Sequence, residues 1–439
     1  MTHSLLRRLG AVLALAAAYT LSTRPALALQ PVTEFLAHAK AWNPQNRAAH
    51  ATTAQRDAEL DVTTGNLLPN FSAGATYTRN QYEVTTATLL PTASLPVGVP
   101  LVIQPQNQFD GNVLLTVPLI NIANWDRRAA ARAVLDGAHA DEANAELIVE
   151  KNVLHDYYTL VGDEAVLLSA RRNVEVTQHN VGLARDRKES GTGSELDVQR
   201  ALADQAKAEQ SVTAAELAVT NTRRDLYSLS GLVAEPVTSF PEDDLHEEQS
   251  LASWTGQADG VPSVLSAAAT HAEAELGAQA AKTGWLPTVS ASAQEKFTNA
   301  TLFVGGHSAI YLLQIAASWK LDTTIFAQIR AQNAVAAAAR ANEDRARQAA
   351  EDAVFQDWQQ IRADIESARS SRAQVTAAKL AASLAEDRYE NGVATQLDVL
   401  QARQDAFAAD VARIQADADL TYARAALRLD AGQLVGPTP

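Results

Sequence analysis

LARDRKESGTGSELDVQRA, residues 183–201, aligns without a gap to LAEDRYENGVATQLDVLQA, residues 384–402. Leu183, Asp186, Arg187, Gly191 and the triplet Leu196-Asp197-Val198 recur as Leu384, Asp387, Arg388, Gly392 and Leu397-Asp398-Val399. In both copies a helix-favouring run stops at glycine and resumes behind a Ser or Thr, Ser194 or Thr395. Glycine tolerates the left-handed backbone that ends a helix, and Ser or Thr caps the start of the next. Each stretch therefore predicts the tip of a helical hairpin, and the pair predicts two homologous halves of roughly 200 residues.

Working outward, the arms of these hairpins are very long. Asn124 to Glu189 has no proline and only three glycines, and Ala327 to Asn391 has neither residue. Sixty-odd helical residues would run about 100 Å. On the last arm Leu400, Phe407, Val411, Ile414 and Ala418 form a heptad-like stripe, as in a coiled coil. Upstream of each long arm, Leu68-Pro69 followed by Ser72-Ala73 returns as Leu286-Pro287 followed by Ser290-Ala291. These open segments of alternating apolar and polar residues, the period of a two-faced strand.

The chain divides accordingly. The first repeat is read over 29–230: a helix from Thr33 to about Gly65, strands at 67–82 and 109–119, and a helical hairpin at 122–230. The second covers 263–431: a helix from Ser263 to about Gly284, strands at 285–298 and 307–320, and a hairpin at 323–431. Between them, 231–262 reads as a linker, with Pro236, Pro241 and Pro262 around Glu242-Asp243-Asp244; 432–439 is a short tail. Thr85 to Gln108 holds four prolines and reads as a long surface loop.

Composition narrows the function. Hydrophobic residues make up 47% of the chain but aromatics only 5%, which suits long, closely packed alanine-rich helices better than a compact enzyme core. The net charge of −15 disfavours nucleic acid as a partner. No cysteine is present, which rules out disulfides, thiolate metal sites and a lipidated N-terminal cysteine. Arg7 and Arg8, the apolar run Ala11 to Leu21, and Ala26-Leu27-Ala28 together predict a signal peptide over 1–28. No other stretch is apolar for the length of a membrane-spanning helix, so membrane entry requires a β-barrel.

Catalytic chemistry finds little support. The nine histidines are scattered singly, without metal-ligand spacing, and Gly191-x-Gly193 lacks the lysine of a phosphate loop. The sequence reads as a non-enzyme without catalytic, cofactor or metal residues.

The repeated turn, the twofold plan and RYENGVATQLDVLQA together resemble the TolC family of outer-membrane efflux proteins, across essentially the whole mature chain. The resemblance implies a mainly α fold with a small β part. Long α-helical coiled-coil hairpins would form an α-barrel, and four transmembrane β-strands per subunit would complete a trimeric barrel of 12 strands. It implies a homotrimer in the outer membrane of a Gram-negative bacterium, extending into the periplasm. Expected partners are outer-membrane lipid, a periplasmic adaptor (membrane fusion) protein and an inner-membrane pump, for efflux of small molecules or protein secretion. A periplasmic coiled-coil adaptor or scaffold is the alternative, but it predicts one hairpin between β domains and not two homologous halves.

Site residues follow position by position. Asp398 falls on the family's acidic constriction ring, and Gln401 stands where a second ring aspartate is described. Tyr389 and Asp197 fall on a tyrosine–aspartate link between the hairpins, and Ala394 replaces an arginine. Asp197 and Asp398 also begin helices, where the helix dipole favours acids in any case. Gly191, Gly193, Gly392, Leu196 and Leu397 would form the adaptor-docking tip, and Tyr77, Phe109, Tyr311 and Trp319 an aromatic girdle.

Overall fold

A computed structural model describes residues 29–87, 100–237, 240, 242–256, 258–301, 307–320 and 322–433. The predicted signal peptide, part of the predicted loop at Thr85–Gln108, Pro241 of the predicted linker and 434–439 of the predicted tail lie outside the described residues. In chain order the elements are α1 (Val32–Trp42), α2 (Pro44–Gly65), β1 (Asn70–Arg79), β2 (Val84–Ala87), β3 (Pro100–Gln104), β4 (Asn107–Ile120), α3 (Ile122–Glu189) and α4 (Glu195–Ser230). Then come α5 (Leu251–Thr255), a 3-10 turn at Ala258–Gly260, α6 (Pro262–Thr283), β5 (Thr288–Thr298), β6 (Ala309–Ser318), α7 (Thr324–Glu390) and α8 (Gln396–Asp430). The fold is mainly helical with a small β part. None of the described helices is long and apolar enough to cross a membrane.

Two features depart from the sequence reading. The helix expected from Thr33 to Gly65 breaks at Asn43, because the ring of Pro44 disfavours helical backbone at the residue before it. Asn43 is extended (φ −61°, ψ 128°), and its Oδ1 accepts the amide of Gln45 at 2.8 Å, capping α2. The segment Thr85–Gln108, read as loop, carries the antiparallel pair β2–β3 with Thr85 opposite Val102. β-branched residues at Val84-Thr85-Thr86 and Val102-Ile103 favour strand there, while Pro100 begins β3 and Pro105 follows it, positions where proline costs no ladder bond.

Two compact units are present, one of residues up to Ala48, Ala143–Val261 and Ala349 onward, the other of Ala49–Glu142 and Pro262–Gln348. In the first, buried residues recur at threes, fours and sevens. Val354, Ile361, Ile365 and Ala368 of α7 meet Leu420, Ala423 and Leu427 of α8, with Trp254 of α5 packed beside them. Phe35 and Ala39 of α1 pack with Val149, Val153 and Leu160 of α3 and Val219 and Leu226 of α4. Burial of each large side chain contributes about 1.5–3 kcal/mol. Gly231 ends α4 with φ +71°, and a Cβ there would lie 2.7 Å from the Trp42 ring, so neither its backbone nor its space admits a larger residue.

The segment between the halves is tied down by one buried cation. Arg424 of α8 is 6% exposed. It donates to both carboxylate oxygens of Asp243 at 2.8 and 3.1 Å, to Glu248, and to the carbonyl of His246 at 2.7 Å. The group Asp243, Asp244 and His246 has ligand-like spacing, but the guanidinium already engages Asp243 and His246.

In the second unit β1, β4, β5 and β6 form one antiparallel sheet in that order. Pro118 lies beyond the end of β1, and the register against β5 shifts between Pro118 and Ile120, where proline offers no amide to the ladder. Beside the sheet, small and hydroxyl side chains let helices approach closely. Gly137 of α3 faces Ala269 of α6, and Thr53, Ser266 and Thr283 bond across to Ala138, Asp141 and Asp126.

One acid in the first unit opposes its own ionisation. Asp357 is pushed up to about 7, mainly by burial and also by the neighbouring Asp430, which is ion-paired to Lys151. A raised carboxyl binds its proton more tightly folded than unfolded. It therefore penalises the native state increasingly as pH rises from about 4 through about 7. Asp357→Asn should stabilise the purified protein at pH 8 by about 1–2 kcal/mol, after allowance for its partial exposure, with no gain at pH 4. Thermal unfolding at the two pH values checks this.

Candidate functional site

The two hairpin tips use the same backbone. Gly191 (φ +76°) and Gly392 (φ +74°) end α3 and α7 in the left-handed region. The carbonyl of Arg187 accepts the amides of Thr192 and Gly193, both at 2.9 Å, and that of Arg388 accepts Val393 and Ala394 at 2.8 and 3.1 Å. Six-to-one bonds of this kind satisfy carbonyls that a helix end leaves orphaned.

Each returning helix then opens on a capping box. Ser194 Oγ accepts the amide of Asp197 at 3.2 Å, and Asp197 Oδ2 accepts from the Ser194 amide at 3.2 Å and hydroxyl at 2.7 Å. Thr395 and Asp398 repeat the pattern at 3.3, 2.8 and 2.7 Å. The Thr395 hydroxyl, then the Thr395 amide, hold the Asp398 carboxyl below its ordinary range, so it carries full negative charge at neutral pH. Asp398 and Gln401, three residues apart on α8, are both exposed. Leu196, Val393 and Leu397 are more than half exposed. Each tip thus presents apolar side chains beside capped carboxylates.

The structure joins Tyr389 to a residue that sequence reasoning passed over. Arg187 of α3 stacks on the Tyr389 ring at 4.1 Å from its centroid and donates to the carbonyls of Tyr389 at 2.7 Å and Glu390 at 3.0 Å. Asp197, expected from the resemblance to meet Tyr389, bonds to Ser194 in its own turn. Higher on the hairpins, Arg403 of α8 reaches Glu386 and the carbonyl of Val176, and Gln404 bonds to buried Asp204 and to Lys207 of α4.

The four-stranded sheet has two unlike faces. Paired residues share a face, and one face carries Phe71, Ala73, Ala75 and Tyr77 of β1 beside Phe109, Gly111, Val113, Leu115 and Val117 of β4. It continues through Val289, Ala291, Ala293 and Phe297 of β5 to Tyr311, Leu313, Ile315 and Ala317 of β6. Glu295, in the row of Ala73, Val113 and Tyr311, is the one charged side chain in this set. The opposite face is largely Ser, Thr, Asn and Gln, with Asp110 bonded to Gln108 and Thr298. Tyr77 and Phe109 lie 4.9 Å apart between ring centroids at one end, with Tyr311 towards the same end. Trp319 lies at the other end, donating to the carbonyl of Trp285 at 2.8 Å. Trp285 has no place in an alternating pattern, and its own sequence context gave no sign of this role.

Comparison with known proteins matches residues 36–232 and 259–433 to the model of the outer membrane efflux protein family. The outer membrane efflux protein BepC of Brucella suis biovar 1 (strain 1330) is 25% identical over 266 residues, 60% of this chain; the chain spans 58% of that relative's length. The crystal structure of the Campylobacter jejuni CmeC outer membrane channel superposes with a TM-score of 0.77 at 17% identity, over 92% of this chain and 86% of that one. The outer membrane protein VceC of Vibrio cholerae gives 0.76 at 18% identity, over 92% and 96%.

Removing either cap should loosen its tip. Ser194→Ala and Thr395→Ala should each cost about 1 kcal/mol of local stability. Amide exchange should then speed up in the first turn of α4 or α8 respectively, with the sheet unaffected.

Proposed function

The chain belongs to the outer membrane efflux protein family, and we propose that it is one of three identical subunits of a passive export duct. It is an outer-membrane protein extending into the periplasm. The observation that carries the reading is the sheet β1-β4-β5-β6, apolar on one face, polar on the other and ending in the edge strands β1 and β6. Lipid does not tolerate open strand edges, and four strands enclose no channel. Three copies joined edge to edge make a barrel of about 12 strands, with the apolar face towards lipid and the polar face lining water.

In this duct Tyr77, Phe109, Tyr311 and Trp319 contribute to the aromatic girdle. The helices continue the conduit into the periplasm, and their tips close it. Asp398 forms a ring of three carboxylates on the symmetry axis, which attracts cations and repels anions, with Gln401 one turn above it. The apolar tip residues Leu196 and Leu397, beside the turns at Gly191, Gly193 and Gly392, receive the helical hairpins of a periplasmic adaptor. The adaptor connects the duct to an inner-membrane pump, which supplies the energy. The duct makes and breaks no bonds and carries small molecules or proteins outward.

Purified protein should run on gels as a trimer that heat converts to monomer, and should form channels in planar bilayers. Asp398→Ala should weaken the cation preference of those channels while trimers persist. Protein that stays monomeric and conducts nothing would contradict the duct.

A further inference from the structure

Arg187 joins the two hairpins of one subunit at their last turns. Its guanidinium carbon lies over the Tyr389 ring, 4.1 Å from the centroid, and its Nη2 donates to the carbonyls of Tyr389 and Glu390. These are the final residues of α7, where carbonyls lack the i+4 helical amide; that of Tyr389 also accepts the Gly392 amide at 3.0 Å. A cation there also meets the negative end of the helix dipole. Tyr389 is 7% exposed, and a cation–π contact strengthens as water is excluded.

The internal repeat shows that this contact is specific. Arg187 and Arg388 are equivalent positions whose carbonyls close equivalent turns. The position after each differs: Tyr389 in the second half, Lys188 in the first. Lys188 pairs with Glu195 within its own turn and offers no ring. Arg388 stays exposed at its own tip, while Arg187 reaches across. The clasp therefore runs in one direction only, from the first hairpin onto the end of the second.

We propose that Arg187 is the positioning residue that clasps the two tips of each subunit together and holds the periplasmic end of the duct shut. The proposal rests on the export-duct reading. Opening requires the guanidinium to leave both the ring and the two carbonyls. The Arg403 and Gln404 contacts further up the hairpins act as the hinge side that stays joined.

The contact separates cleanly from a tyrosine hydroxyl link to Asp197, because Arg187 uses the ring and the carbonyls and not the hydroxyl. In full-length protein, Arg187→Ala and Tyr389→Ala should each raise bilayer conductance several-fold, and the double variant should add nothing further. Tyr389→Phe should conduct like the parent, and Arg187→Lys should fall between. The cysteine-free chain permits spin labels at Thr192 and Val393, in subunits diluted with unlabelled ones. Arg187→Ala should lengthen that distance by several ångströms in trimers of unchanged heat resistance.

An Arg187→Ala variant with unaltered distance overturns the clasp, as does a Tyr389→Phe variant that opens as far as Tyr389→Ala. A lengthened distance in protein that never conducts, parent included, supports the clasp and refutes the duct.

Discussion

A two-faced sheet with unpaired edges imposes the constraint from which the rest of this structure follows. The outer N–H and C=O groups of β1 and β6 would each cost several kcal/mol in hydrocarbon if left without partners. A lone copy of β1-β4-β5-β6 is therefore unfit for the membrane that its apolar face suits. Closing the sheet with further copies of itself removes the edges and turns the polar face inward. Glu295, the single charged side chain in the apolar rows, stands in the row of Tyr311, four residues along the strands from the row of Tyr77 and Phe109. A charge costs less towards a membrane interface than at the midplane.

The helical part solves a different problem, that of ending and restarting very long helices without leaving backbone groups bare. Left-handed glycines close α3 and α7, and the Ser194–Asp197 and Thr395–Asp398 boxes open α4 and α8. The aspartates are thereby fixed in orientation, one oxygen committed to the cap, before any gating role is asked of them. Polar ties then connect hairpin to hairpin near the tips, through Arg187, Arg403 and Gln404. The Arg187 bonds to carbonyls can break and re-form without exposing a large apolar surface, as the proposed clasp requires.

Much of this was legible in the sequence because it is local or repeated. The turns at Gly191 and Gly392 and the alternation along β1 and β6 depend on neighbours within a few residues. The Ser194 and Thr395 caps were equally in view, but Asp197 and Asp398 were read as gate residues and dipole-favoured acids, not as the return bonds that complete each capping box. The break at Asn43 was signalled by Pro44, but the helical pattern on either side masked it. The pair β2–β3 hid behind prolines that sit at the strand's edges. By contrast, Arg187 meets Tyr389 across 202 positions, and Arg424 meets Asp243 across 181. Nothing local marks which arginine crosses and which, like Arg388, stays at its own tip.

Edge-to-edge closure of the sheet is the central claim, and disulfide trapping tests it most directly. One cysteine placed at Thr76 in β1 and a second scanned along β6 from Ala309 to Ser318 would be oxidised in native membranes. Within one subunit β1 and β6 stand at opposite ends of the sheet, so any bond between them must link two copies. The account predicts covalent trimers when the β6 cysteine stands opposite Thr76, and none when it is more than about two residues from that position. Absence of crosslinked species at every position, with the protein abundant in the outer membrane, would contradict it.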